Sequence, residues 1–129
     1  MKEIYFIIGK LINSFQILEN HLKLLLHDFY CQKENPNDIM QSLSKIDKNT
    51  LGKNLLTIKK CAIFESEHDI SLLKFLNDKR NYIVHHFFAE NDFSNQSEIE
   101  LHKQSLRQLF NNVEMINKAL FHIISNDSK

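Results

Sequence analysis

The chain has 129 residues, of which 43% are hydrophobic and 25% charged. That length and balance suit one folded domain, residues 1–129, and exclude both a disordered segment and a membrane-spanning one. Sixteen basic residues offset sixteen acidic ones, for a formal charge of +0 at pH 7; this argues against a broad electropositive surface for sequence-independent nucleic-acid binding, so any nucleic acid would have to be held locally, by an assembly, or weakly.

Glycine (2) and proline (1) are scarce, which suits long helices. Ile4, Ile8, Leu11, Phe15, Leu18, Leu22, Leu25 and Phe29 recur at alternating spacings of four and three. The spacing predicts a helix from near Lys2 to near Tyr30 with a continuous apolar seam. Ile7, Ile12, Ile17, Leu24 and Leu26 widen that seam, so the helix is expected to face more than one neighbour. Glu3 and Lys10 interrupt the apolar run and no small-residue cleavage site follows, so the start reads as a helix and not as a secretory signal. Gln32 to Asn37, holding the proline, reads as a loop. Asp38 to Leu43 reads as a short helical turn with Ile39, Met40 and Leu43 inward. Asn49 or Thr50 can cap the next helix, where Leu51, Leu55, Ile58 and Ala62 share a face.

Ser66-Glu67-His68-Asp69 has the form of a capping box at the head of a third long helix, which carries Leu72, Leu73, Leu76, Ile83 and Phe87. Asn91 to Gln96 is a polar break. Ser97 to Glu100 has the form of a second capping box, opening a last helix with Leu106, Leu109, Val113, Ile116, Leu120 and Ile123 on its seam. Asn126 to Lys129 is expected to fray. No segment alternates with period two, so no sheet is expected. The predicted fold is all-α, an antiparallel bundle of four to five helices. Phe15, Leu18, Leu22, Leu55, Leu76, Ile83, Leu109, Val113 and Ile116 are its expected core or subunit interface.

Cys31 and Cys61 lie far apart without metal-ligand spacing and read as reduced thiols of a cytoplasmic protein. There is no P-loop and no HExxH, so no metal or other cofactor is expected. His21, His27, His68, His102 and His122 are scattered, although His102 falls on the seam of the last helix.

Chemistry concentrates in one run, Asp78-Lys79-Arg80-Asn81-Tyr82-Ile83-Val84-His85-His86-Phe87-Phe88. An arginine keeps its proton and can hold a phosphate. A histidine titrates near neutrality and can move a proton. On a helical wheel Arg80 falls among Leu73, Leu76, Ile83, Val84 and Phe87, with His85 roughly 140° away beside Asn81 and Asp78. On a straight helix the two diverge. A kink at the motif would bring them together, and so would two copies related by a two-fold axis. The plain structural alternative pairs Arg80 with a buried acid, Glu19 being the candidate, and leaves His85 an ordinary surface histidine. His86 points roughly 100° away from His85 and is at most a supporting group.

The stretch Lys79 to Phe87 resembles the motif of the HEPN superfamily, an arginine, often followed by a polar residue such as asparagine, with a histidine four to six residues after the arginine. In that family the motif sits on a late helix of an all-helical bundle of this size. The resemblance implies a metal-independent endoribonuclease, often a toxin or phage-defence effector, with its active site at a homodimer interface. Arg80 would hold the scissile phosphate. His85 would act as general acid–base at the 2′-hydroxyl or the leaving oxygen. Asn81 would orient the phosphate or His85, and Asp78 is a weaker candidate for orienting His85. The implied partners are RNA, a second copy of the chain, and an antitoxin or defence protein, with no membrane. In members paired with a nucleotidyltransferase antitoxin a tyrosine often stands two residues after the histidine and is adenylylated. Here that place is Phe87, which argues against that form of control, and Tyr82 is not equivalent. A second expectation is a non-catalytic HEPN-like binding or partner subunit, favoured by the neutral charge; Arg80, Asn81 and His85 together favour the enzyme.

Overall fold

The computed structural model describes residues 1–33, 36–61, 63–64 and 66–127. They form six helices and no strand: α1 (Lys2–Lys33), α2 (Pro36–Lys48), α3 (Leu51–Lys60), α4 (Glu67–His85), the single turn α5 (Phe87–Glu90) and α6 (Gln96–Asp127). The all-α bundle predicted from periodicity is the observed fold. Ala62, the centre of the loop expected at Gln32–Asn37, and the last two residues lie outside the described residues.

Helix α1 is the axis on which the others assemble. Its seam from Ile4 to Leu25 is buried, and Ile7 and Leu26 join it. Ile12, Ile17 and Leu24 stay exposed, so the seam widens to one side more than the other. Successive passes reverse direction. α2 returns along α1, bringing Asp47 to His27 at 2.9 Å and its backbone carbonyl to Lys23 Nζ at 3.2 Å. α3 runs back out, its C-cap Cys61 reaching Tyr30 OH. α4 comes down again, and the α5 turn that follows it stacks Phe88 on Tyr5 near the start of α1. α6 then rises parallel to α1. Their contacts climb together, from Glu3 with Lys103 (2.9 Å) through Lys10 over Phe110 to Ser14 with Glu114 (2.6 Å) and His21 beside Phe121.

The core is mostly aliphatic at its centre, with Leu11, Leu18, Leu22, Leu76 and Val113 closed to solvent together with the aromatic Phe15. Burying each such side chain contributes roughly 1.5–3 kcal/mol. Leu109 and Ile116, expected in the core, are only half-buried, because they face the gap between α6 and α4. A polar cluster interrupts the α1–α6 seam. Ser14 Oγ donates to Glu114, and Asn117 Nδ2 donates to the Ser14 carbonyl at 3.0 Å. The Asn117 amide nitrogen is buried and finds its acceptors only on Ser14 among the described residues, which ties the two helices in one register.

Several local expectations are corrected. α2 is a full helix through Lys48, not a turn, and Met40 faces solvent while Ile46 is the residue it buries. Thr50 caps α3 as expected, accepting from the Lys53 N–H. Ser66 stands at the N-cap of α4 but its side chain makes no capping bond. Ser97 lies inside α6; Asn95 caps that helix instead, accepting from the Glu98 N–H at 2.8 Å. The preceding Asp92–Ser94 turn delivers the chain to that asparagine.

Candidate functional site

The predicted site residues share one helix. Asp78, Arg80, Asn81 and His85 all lie on α4, and His85 is its last residue. The helix stops because His86 leaves helical geometry, with φ −128° and ψ −20°. Its N–H still bonds the Tyr82 carbonyl at 2.8 Å, and its own carbonyl accepts from Glu90 to close the α5 turn. The third long helix was expected to continue through Phe87; it breaks one residue earlier. This break follows the motif, so it does not draw Arg80 toward His85. Both stay on continuous helix, roughly 140° apart.

Three flanks of α4 can be separated. The central stripe of Leu73, Leu76 and Ile83 is buried and continues into Phe87. Arg80 and Val84 border that stripe on one side, and Asn81 and His85 lie farther round, His85 on the face away from the stripe. The other side carries Phe75, Lys79 and Tyr82, which face α6 across a cleft of about 440 Å³. Sequence periodicity marks the stripe but contains nothing that reports this gap, because a cleft depends on how far apart two helices sit.

Arg80 is half-buried, and its guanidinium donates to Asn81 Oδ1 at 3.2 Å. It makes no ion pair among the described residues. The proposed buried partner is excluded: Glu19 pairs with Lys23 on its own helix at 3.7 Å. The side-chain oxygen of Asn81 is thus spent on the arginine. Asp78 and His85 are exposed. No hydrogen bond or ion pair joins His85 to Arg80, Asn81 or Asp78 among the described residues. The ring of His85 lies edge-on to His86, 6.3 Å between centroids. His86 itself points elsewhere, with Nδ1 3.8 Å from Glu90 and its ring beside Tyr82.

The surroundings are apolar. Val84, next to His85 in sequence, is 47% exposed, and Phe88, three residues after it, 42%. Phe88 stacks at 5.2 Å on Tyr5, which is 59% exposed. Met1, Tyr5 and Ile12 recur along one flank of α1, and a Cβ placed on Gly9 between them would meet only open space. Phe87, in contrast, is buried against Phe88, Phe93, Tyr82 and His102. The position two residues after the histidine is therefore a core position here.

Among the described residues no group of three His, Cys, Asp or Glu side chains is placed to hold a metal ion. No described helix is long and apolar enough to cross a membrane. No protein-family model, curated protein or solved structure matches this chain.

Proposed function

We propose that this chain is a metal-independent endoribonuclease of HEPN type, acting as a two-fold dimer. The observation that carries the reading is the state of Arg80 and His85. Arg80 is half-buried and His85 exposed, neither pairs with a carboxylate among the described residues, and Val84, which lies between them in sequence, is exposed, as are Phe88 and Tyr5, whose rings stack. One copy holds the two groups on diverging directions of α4. A second copy seated on that surface would bring its own Arg80 and His85 to the same cleft, and would cover the exposed rings.

The chemistry follows from two imidazoles and two guanidiniums at one axis. A neutral His85 takes the proton of the 2′-hydroxyl as that oxygen bonds to phosphorus. A protonated His85 gives its proton to the departing 5′-oxygen as the P–O5′ bond breaks. The products are a 2′,3′-cyclic phosphate and a 5′-hydroxyl, and the proton count balances. Arg80 holds the non-bridging oxygens, where negative charge grows. Asn81 positions the guanidinium through its 3.2 Å contact. Asp78 and His86 take no direct part in this scheme. Such an enzyme acts in the cytoplasm as a toxin or phage-defence effector, restrained or triggered by a partner protein.

The test is cleavage of single-stranded RNA in EDTA. Wild type is expected to cut. His85→Ala is expected to lose on the order of 10²–10⁴ in rate. Arg80→Lys loses activity as well, because an ammonium does not reproduce the guanidinium fork. RNA with a 2′-deoxy residue at the cut site is expected to survive. Cleavage retained by His85→Ala, or of the deoxy substrate, would sink the mechanism. One observation favours a second reading, a non-catalytic partner subunit: His85 has no orienting hydrogen bond among the described residues. A dimer that never cuts RNA would support it.

A further inference from the structure

Helices α4 and α6 leave a furrow between them. α6 packs on α1, while α4 packs on α3 and α1. The furrow holds the cleft of about 440 Å³ at the α5 end and a second gap of about 140 Å³ toward the head of α4. The two linings adjoin: Phe75 of the first and Leu72 of the second are about one turn apart on α4, as are Asn112 and Ile116 on α6. The floor is apolar throughout, with Leu73, Ile83, Leu106 and Leu120 buried and Leu109 and Ile116 half-buried between them.

The α6 rim is Ser105, Gln108, Asn112, Ile116, Ala119 and Ile123, at spacings of three and four. None of these is charged, in a chain where 25% of residues are. The charged residues of the same stretch, Arg107, Glu114 and Lys118, all lie on the other flank of α6. The side chains of Gln108 and Asn112 make no hydrogen bond with any described residue, and Ile123 is 42% exposed. A flank without charge, left open, has the composition of an interface core and not of a solvated surface. The α4 rim carries Leu72, Phe75, Lys79 and Tyr82, again at spacings of three and four. Lys79 is the one charged residue among the described lining of the larger cleft. Its ammonium lies 5.5 Å from the Phe75 ring centre and makes no ion pair among the described residues. The ring occupies one side of the ammonium and leaves the protons on the other side for an acceptor. At the far end Asp69 stands in the first turn of α4, where the N-terminus of that helix answers its charge. Lys79 is the unbalanced charge of the furrow.

From Ser105 to Ile123 the furrow runs roughly 27 Å, at about 1.5 Å per residue. A compact small molecule fills one gap and leaves the other open. An extended strand would bury its own N–H and C=O groups there, because two helices offer no sheet edge. A helix brings its backbone hydrogen bonds with it, and side chains three and four apart match the ridges of α4 and α6. We infer that the α4–α6 furrow seats an amphipathic helix of a partner protein, apolar on its inserted face and bearing an acidic residue where it passes Lys79. Neither Arg80 nor His85 takes part, since Lys79 lies roughly 120° round α4 from His85.

Three synthetic peptides of about 18 residues, the length that spans the furrow, serve as probes. One carries leucines at spacings of three and four on an alanine–glutamine background, with two glutamates bordering the stripe. The second has lysines in place of the glutamates. The third has the composition of the first with the stripe scattered. The acidic striped peptide is expected to shift the side-chain amide signals of Gln108 and Asn112 saturably, and to bind about fivefold tighter than the basic one. The protein has a formal net charge of +0, so that preference reports the furrow and not the whole surface. Lys79→Glu is expected to reverse the preference. Ala119→Arg, which puts a cation among apolar side chains, is expected to weaken both striped peptides about tenfold. Both positions are exposed, and circular dichroism checks that the variants stay folded. The assignment fails if the striped peptides leave those amides unmoved at millimolar concentration, if the scattered peptide binds as well, or if Lys79→Glu keeps the wild-type preference. It fails too if sedimentation shows Ala119→Arg dispersing a wild-type dimer, which would give the furrow to a second copy.

Discussion

At the scale of single residues, the best-defined electrostatic cluster lies away from the motif. Lys103, with its side chain nearly buried, bonds Glu3 at 2.9 Å and Glu100 at 3.0 Å, and Arg107 adds a contact to Glu3. The hydrogen bond from Lys103, then its charge, holds both carboxyls below the ordinary glutamate value. The hydrogen bonds from Glu3 and Glu100 push Lys103 up. The two signs act at opposite ends of the pH scale. A carboxyl with a lowered folded value stabilises fully above its unfolded value, and that support is lost as pH falls through the folded one. A raised lysine stabilises below its unfolded value and loses that support as pH rises through its folded one. Urea midpoints followed into acid are therefore expected to fall less steeply for Lys103→Met than for wild type. Some acid slope should remain, because the Ser94 hydroxyl lowers Asp92 in the same direction. Identical slopes in the two proteins would show that the cluster does not set them.

At the scale of elements, glycine separates two kinds of helix surface. Gly9 stands mid-α1 with open space above it, so Gly9→Ala is expected to raise stability by about 0.5–1 kcal/mol, read by thermal or urea unfolding. A loss of stability would mean that something packs closely on that flank in solution. Gly52 differs, since a Cβ there would stand 3.2 Å from the Asn77 amide where α3 meets α4. The helices themselves were legible in the sequence wherever an apolar stripe recurs with helical period, buried from Ile4 to Leu25 in α1 and alternately buried and half-buried from Leu106 to Leu120 in α6. Met40 was misassigned because it neighbours apolar Ile39 in sequence, while burial in α2 is decided by which face meets α1. Capping failed at Ser66 and Ser97 for a related reason: a serine–glutamate spacing permits a cap, but backbone direction before the helix decides whether the hydroxyl turns inward. The motif residues were legible as types. The divergence of Arg80 from His85 was legible from the wheel. The break at His86 was not, since no proline or glycine marks it.

At the scale of the whole molecule, the exposed rings near the motif make the assembly testable. Phe88→Glu places a charge on the surface proposed to meet a second copy, at a side chain 42% exposed in one copy. Sedimentation is expected to show wild type as a dimer at micromolar concentration and the variant as a folded monomer. A monomeric wild type would remove the two-fold site. Truncating a core residue reports on the fold separately: Leu22→Ala is expected to cost about 2–5 kcal/mol, because Leu22 is fully buried and its loss leaves a cavity.

The parallel pairing of α1 with α6 has a kinetic consequence. The amide of Asn117 bonds the carbonyl of Ser14 across 103 positions of chain. The helix that supplies the axis of the bundle is separated from its mate in sequence by four other helices. Most helical bundles fold quickly because neighbouring helices pair locally, whereas here the decisive pairing closes a long loop and its entropy must be spent before the seam is covered. During synthesis the apolar stripe of α1 waits for its mate. Refolding is expected to be slower than for a bundle of this size with local pairing. Stopped-flow rates should fall further when Val113, at the centre of that closure, is truncated to alanine, provided the pairing belongs to the rate-limiting step; an effect confined to unfolding would place it afterwards.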